Sequence, residues 1–106
     1  MSNRNRDAGN AYECKIASEL REIGFEAVTS RSESRSLDAK GIDLVSNFPL
    51  QAQMKTACNQ PNFHKLLTET EAQIIFWQKT EKAGARFMPK GEYVILAKND
   101  LYNKFL

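Results

Sequence analysis

The chain has 106 residues, of which 42% are hydrophobic and 26% are charged, values typical of a soluble globular protein with one core. No stretch reaches the roughly 18 apolar residues of a membrane span, and the first residues form no apolar signal-peptide core, so we expect a cytoplasmic protein. The net charge of +2 is too small to indicate a polyanionic partner by itself. We predict a single domain over residues 1–106, with residues 1–7 as a flexible basic arm.

The first half of the chain predicts one helix followed by strands. Apolar residues recur at helical spacing from about Ala8 to Ile23, and Gly24 is a natural stop for that helix. Phe25 to Thr29 has the aromatic and β-branched residues of a strand. The segment from Ser30 to Lys40 lacks an apolar period, which indicates a polar loop.

The following elements alternate between strand and helix. Ile42 to Val45 and Leu50 to Lys55 flank a turn signal, which predicts a β-hairpin. The remaining predictions are a helix from Phe63 to Glu69, strands from Ala72 to Trp77 and from Tyr93 to Ala97, and a closing helix from Leu101 to Leu106, capped by Asn99. This order is typical of a mixed α/β fold.

Glu13 is an acid on the packed face of the first helix. It lies three, four and seven residues before Ile16, Ala17 and Leu20. A carboxylate there must be paired, protonated or coordinated to a cation, because leaving it ionised and alone costs several kcal/mol. The alternative is a solvated acid at a frayed first turn, favoured by the helix dipole.

Three polar residues interrupt the predicted hairpin. Asp43 lies in an apolar run, where a charge needs a partner unless it faces water at the strand end. Gln53 and Lys55 point to one side of the next strand, about 7 Å apart. At that distance one group can reach a metal while the other reaches the water or phosphate beside it. Each residue alone is an ordinary surface residue, so the combination with Glu13 carries the signal.

The combination resembles the PD-(D/E)XK nuclease superfamily, and most closely the small archaeal-type and phage-encoded Holliday junction resolvases. The resemblance covers about the first two-thirds of the chain well. The segments that carry it are Asn3-Arg4-Asn5-Arg6 with Gly9 and Glu13, Gly24-Phe25, Thr29-Ser30-Arg31-Ser32-Glu33-Ser34, Leu37-Asp38, Gly41-Ile42-Asp43-Leu44 and Gln51-Ala52-Gln53-Met54-Lys55.

The resemblance implies a restriction-endonuclease-like αβββαβ core with a mixed central sheet flanked by helices, a homodimer, and Mg²⁺, with Mn²⁺ as a substitute. It also implies metal-activated attack of water on a DNA phosphodiester. Glu13, Asp43 and Gln53 would be metal ligands and Lys55 the catalytic lysine. Gln53 departs from the family pattern, which has Glu or Asp there. Its carbonyl oxygen can bind a hard cation but brings no charge.

The resemblance also places DNA contacts in the polar loop and the basic arm. Serine hydroxyls and arginine forks bind phosphate oxygens without reading sequence, as suits an enzyme that selects DNA shape. A solvated loop is the alternative. The predicted DNA-binding residues are Arg4, Arg6, Ser30, Arg31, Ser34 and Arg35.

Four functions remain open from the sequence. The first is a junction-resolving endonuclease acting on branched DNA. The second is a nuclease of the same superfamily with another DNA or RNA substrate, because the metal site fixes the chemistry and not the substrate. The third is a branched-DNA-binding protein that has little or no cutting activity, motivated by Gln53. The fourth is a structural or interaction domain.

Overall fold

The computed structural model of the protein describes residues 4–33, 35–80 and 90–106, and for residues 4–7, 32, 33 and 35 it describes only the backbone. Within these residues the chain is mixed α/β, with a three-stranded mixed sheet and flanking helices. The elements in chain order are α1 (Arg4–Ile23), β1 (Ala27–Thr29), α2 (Ser30–Glu33), α3 (Arg35–Ala39), β2 (Leu44–Ser46), β3 (Ala52–Ala57), α4 (Phe63–Glu69), β4 (Ile74–Lys79), β5 (Gly91–Leu96) and α5 (Lys98–Phe105).

The strands form two hydrogen-bonded groups. β3 pairs with β4 in parallel and β4 pairs with β5 antiparallel, so β4 is central in the three-stranded sheet. The parallel pair needs a crossover, which α4 supplies. β1 and β2 form a separate antiparallel pair. The order α1, β1, β2, β3, α4, β4 agrees with the expected αβββαβ order, with two short helices added between β1 and β2.

The main core lies between α1 and the strands. It consists of Tyr12, Ile16, Ala17, Leu20, Ala27, Leu44, Leu50, Ala52, Met54 and Ile74. Gly24 ends α1 with a positive φ of 119°, and the N–H groups of Gly24 and Phe25 both donate to the carbonyl of Leu20, as in a Schellman cap. Ile23, which follows the same spacing, is exposed because the helix ends there. No helix in the described ranges is long and apolar enough to cross a membrane.

The predicted hairpin between Ile42–Val45 and Leu50–Lys55 is wrong. β2 pairs with β1 and not with β3. Asp43 links this segment to β3: its N–H donates to the carbonyl of Ala52 at 2.8 Å, and its carboxylate accepts from the N–H of Met54 at 2.8 Å. The Asp43 carboxylate thus accepts a hydrogen bond that a backbone carbonyl would accept in a regular strand pair, and β2 does not pair with β3.

Three local predictions also differ from the structure. Residues 30–40 contain the two short helices α2 and α3 in place of a loop. The arm predicted for residues 1–7 is helical from Arg4. Helix α5 begins at Lys98, so Asn99 lies inside it and is not its cap. The N-cap is Ala97, whose backbone is extended and whose side chain makes no capping hydrogen bond.

Candidate active site

The backbone around Asp43 is fixed on both sides. Gly41 has a φ of +80°, and a Cβ atom there would lie 2.8 Å from the Cβ of Thr70, so this close approach requires glycine. Two residues later, the carbonyl of Asp43 accepts from the N–H of Ser30 at 2.9 Å, and the N–H of Asp43 donates to the carbonyl of Ala52. Asp43 is therefore held between α2 and β3.

The carboxyl group of Asp43 is perturbed by its surroundings. Burial raises its pKa to about 6, and the hydrogen bond from the Met54 N–H opposes that rise. The charges of Glu13 and Asp38 contribute to the same rise in pKa, whereas the charge of Lys55 opposes it. Such electrostatic coupling requires proximity, so two of the other predicted site residues, Glu13 and Lys55, lie near Asp43.

Glu13 is buried and has one described cationic partner. The Arg31 guanidinium nitrogen Nη2 lies 3.2 Å from Oε2 and 3.5 Å from Oε1 of Glu13. Glu13 raises the pKa of Arg31, first through this hydrogen bond and then through its charge. The prediction that Glu13 lies on the packed face is confirmed, because Glu13 is buried on α1. A solvated, frayed first turn does not describe it, since α1 begins nine residues earlier.

Gln53 and Lys55 lie two residues apart on β3 and therefore share one face of the sheet. They pair with Ile75 and Trp77 of β4. Gln53 is 8% exposed, and its Oε1 atom is buried with no hydrogen-bond partner among the described residues. An unsatisfied buried oxygen costs about 1–3 kcal/mol, so it indicates a place for a donor, a water or a cation.

The side-chain oxygens of Glu13, Asp43 and Gln53 suit a hard divalent cation. Mg²⁺ prefers oxygen ligands and keeps several waters, so two carboxylates and one amide are sufficient. Among the described residues, no group of three or more His, Cys, Asp and Glu side chains could hold a metal ion. Gln53 is not counted in such a group, and its buried Oε1 has no hydrogen-bond partner among the described residues.

Asn10 was missed by the sequence analysis. Its Oδ1 atom is, with Oε1 of Gln53, one of two buried side-chain oxygen or nitrogen atoms without a partner in the described part of the chain. Asn10 precedes Glu13 by three residues, which places the two side chains next to each other on one helix face. The available signal was this spacing, a polar residue one turn before the packed acid.

Ser30 does not fit the predicted phosphate contact. Its side chain is fully buried, and its hydroxyl donates to the carbonyl of Ile42 at 2.6 Å. The hydroxyl therefore connects the start of α2 to the chain just before Asp43. Its role is structural, because a buried and already bonded hydroxyl cannot reach a DNA phosphate.

Arg31 is the one predicted DNA-binding residue whose side chain the structure describes as accessible. Its side chain is 45% exposed and lies next to Glu13. Ser34 lies outside the described residues. The other predicted contacts, whose side chains also lie outside the described part, are Arg4, Arg6 and Arg35.

Comparison of this chain with protein-family models, with curated proteins and with solved structures finds no match. The geometry of the site and the sequence pattern are therefore the grounds for the functional argument.

Proposed function

We propose that this protein is a metal-dependent endodeoxyribonuclease that nicks four-way DNA junctions. The observation that carries the proposal is the unpartnered, buried Oε1 of Gln53 on the strand that also bears Lys55. Two acids, Glu13 and Asp43, are electrostatically coupled, and the Asp43 carboxylate accepts from the N–H of Met54, the residue after Gln53. An oxygen-rich site next to a lysine is the arrangement required for metal-assisted phosphodiester hydrolysis.

In this proposal Glu13, Asp43 and Gln53 hold Mg²⁺ or Mn²⁺. Such an ion, when bound, activates a water and neutralises charge on the phosphate. The Met54 N–H orients the Asp43 carboxylate, which is mostly ionised above pH 6 because its raised pKa is about 6. Lys55 contributes a fixed positive charge that orients the attacking water or stabilises the developing charge on the phosphate.

The proposed substrate is branched DNA and not a particular sequence. Arg31 lies beside the acids with a partly exposed side chain, where it can bind a phosphate oxygen. Phosphate contacts position a protein on DNA and carry no sequence information. Selection would then depend on the shape of the junction and on the spacing of two active sites.

Two nicks on opposed strands require two sites, and we propose a homodimer for that reason. Helix α5 supports this part of the proposal, because it has no buried residue although Leu101, Tyr102 and Phe105 all carry large apolar side chains. An isolated helix of eight residues is marginal in water. Phe105 contacts Phe48 with ring centroids 5.9 Å apart, which leaves much of this apolar face available for a second copy.

A junction-binding protein without cutting activity is the second candidate. It is favoured by Gln53, which brings no negative charge to the metal, and by the pairing of Arg31 with Glu13. Both features reduce the net negative charge available to attract a cation. This candidate predicts tight junction binding and no metal-dependent nicks.

The test incubates the wild-type protein with labelled four-way junction and matched duplex, in Mg²⁺ or in EDTA, on a denaturing gel. The Lys55→Ala variant is compared with Lys65→Ala, which removes an exposed lysine whose described partner is Glu69, 3.9 Å away. We expect paired junction nicks that require Mg²⁺ and Lys55 but not Lys65. Junction binding without nicks would favour the second candidate. Nicks in the duplex alone would show that duplex DNA, and not the junction, is the substrate.

A further inference from the structure

Arg31 forms an ion pair with the carboxylate of Glu13, which the proposed function assigns to the metal. Its Nη2 lies 3.2 Å from one oxygen of Glu13 and 3.5 Å from the other. We infer that Arg31 is an exchangeable counter-ion, which neutralises Glu13 in the metal-free protein and moves to a DNA phosphate when the metal binds. This assignment rests on the proposed function.

The first step of the exchange follows from the shared carboxylate. The side chain of Glu13 is 9% exposed, so its oxygens offer little free surface beside the guanidinium. A divalent cation on the same oxygens would lie within a few ångströms of Arg31, and two cations at that distance repel each other. Arg31 and the metal therefore compete for Glu13.

The second step depends on where Arg31 can go. Its side chain is 45% exposed, so water can solvate the guanidinium after it leaves, whereas the buried carboxylate of Glu13 would then be neutralised by the metal. It lies at the start of α2, next to the buried Ser30 that fixes the backbone. The side chain can therefore turn while its backbone remains in place, and in the proposed complex a phosphate beside the metal offers its oxygens to the arginine fork.

The exchange couples two binding events. The metal releases Arg31 for DNA, and DNA that holds Arg31 leaves Glu13 free for the metal. Linkage requires that each ligand strengthens the binding of the other by the same factor. A salt bridge that serves only to stabilise α1 against α2 predicts no such coupling.

The first measurement is the Mn²⁺ affinity of the protein without DNA, from the loss of the free Mn²⁺ EPR signal. The Arg31→Gln variant is expected to bind Mn²⁺ about fivefold more tightly than wild type, the order expected when one partly exposed ion pair no longer competes for Glu13. Arg31→Lys, which keeps the charge, is expected to remain close to wild type. Lys65→Gln changes the net charge equally, away from the site, and corrects for that general effect.

The second measurement is the salt dependence of junction binding, with Ca²⁺ or with EDTA and with the DNA checked for integrity. With Ca²⁺, Arg31→Gln should reduce the slope of log affinity against log salt by about 0.9, the value for one phosphate contact. With EDTA the slope should not change, because Arg31 is then bound to Glu13.

The outcomes separate this inference from the proposed function. The Glu13→Gln variant identifies the relevant metal site, since Mn²⁺ binding there must weaken when the carboxylate is lost. If wild type binds Mn²⁺ in this way but Arg31→Gln binds it equally or more weakly, the exchange is refuted and the metal site stands. An unchanged salt slope in Ca²⁺ also refutes it. If wild type binds no Mn²⁺ through Glu13, both the exchange and the proposed function fail.

Discussion

Replacing Asp43 by asparagine tests the electrostatics of the site without removing its hydrogen bond. The asparagine Oδ1 can still accept from the Met54 N–H, which Asp43 does at 2.8 Å. The substitution removes only the negative charge, which is poorly solvated and lies near the charges of Glu13 and Asp38. We therefore expect Asp43→Asn to stabilise the metal-free protein at neutral pH.

The magnitude follows from the pKa of Asp43. Burial raises that pKa from 3.8 to about 6, and this difference corresponds to about 3 kcal/mol of folding free energy. Because the folded state binds the proton more tightly than the unfolded state, wild type loses stability as the pH rises from about 4 to about 6. The loss is complete above that range and absent below it. Asparagine also loses the favourable interaction with Lys55, so we expect a net gain of about 1–3 kcal/mol at pH 7.5.

The assay is urea unfolding of wild type and Asp43→Asn in EDTA, at pH 4 and at pH 7.5 and several values between. The two proteins should have similar stability at pH 4, diverge as the pH rises from about 4 to about 6, and differ by a constant amount above that range. A variant that is less stable at pH 7.5, or equally stabilised at both pH values, would refute the assigned burial of the Asp43 charge. Addition of Mg²⁺ should stabilise wild type alone, because a ligand of the folded state shifts unfolding by mass action.

The other predictions concern three separate features. Ser30→Ala should destabilise the protein by about 1–3 kcal/mol in urea unfolding, because the carbonyl of Ile42 loses its buried donor, while junction affinity of the folded protein stays unchanged. A fall in the junction affinity of the folded protein would instead support the prediction that Ser30 contacts a DNA phosphate. Gln53→Glu should tighten Mn²⁺ binding in calorimetry but lower metal-free stability, and unchanged Mn²⁺ binding would exclude residue 53 as a ligand. Leu101→Asp should convert a dimer into a monomer in light scattering, whereas Asn103→Asp, with the same charge change on α5, should not; a dimer that survives Leu101→Asp would exclude this face.

Elements with a strong local signal were predictable from the sequence. Helix α4 has the predicted bounds Phe63–Glu69, because Asn62 caps it by accepting from the N–H of Lys65 at 3.0 Å. Helix α1 ends at Ile23 as predicted, since Gly24 supplies the positive φ that the cap requires. Local spacing also predicted Glu13 on the packed face of α1, and its burial in the structure decides between that position and a solvated first turn.

Features that depend on contacts distant in sequence were not predictable. The apolar pattern of β2 suits either neighbouring strand. In the structure β2 pairs with β1, and the Asp43 carboxylate accepts from the Met54 N–H of β3, a contact that the local pattern does not predict. The pairing of Arg31 with Glu13 joins residues 18 apart in sequence. Ser30 looks like a polar loop residue, but packing buries it completely.

The glutamine at position 53 has a physical rationale in the charges around it. The pKa of Asp43 is already raised, first by burial and then by the charges of Glu13 and Asp38. A carboxylate at the buried position 53 would add a fourth acid to this group, and the added repulsion would favour protonation of one of the acids. In the proposed metal site, glutamine would supply a ligand oxygen without that repulsion. The consequence is a weaker attraction for a cation, so the wild-type site should fill at a higher Mg²⁺ concentration than the site of the Gln53→Glu variant. Its Mg²⁺ affinity should also fall as the pH drops below 6, because Asp43 then takes up a proton.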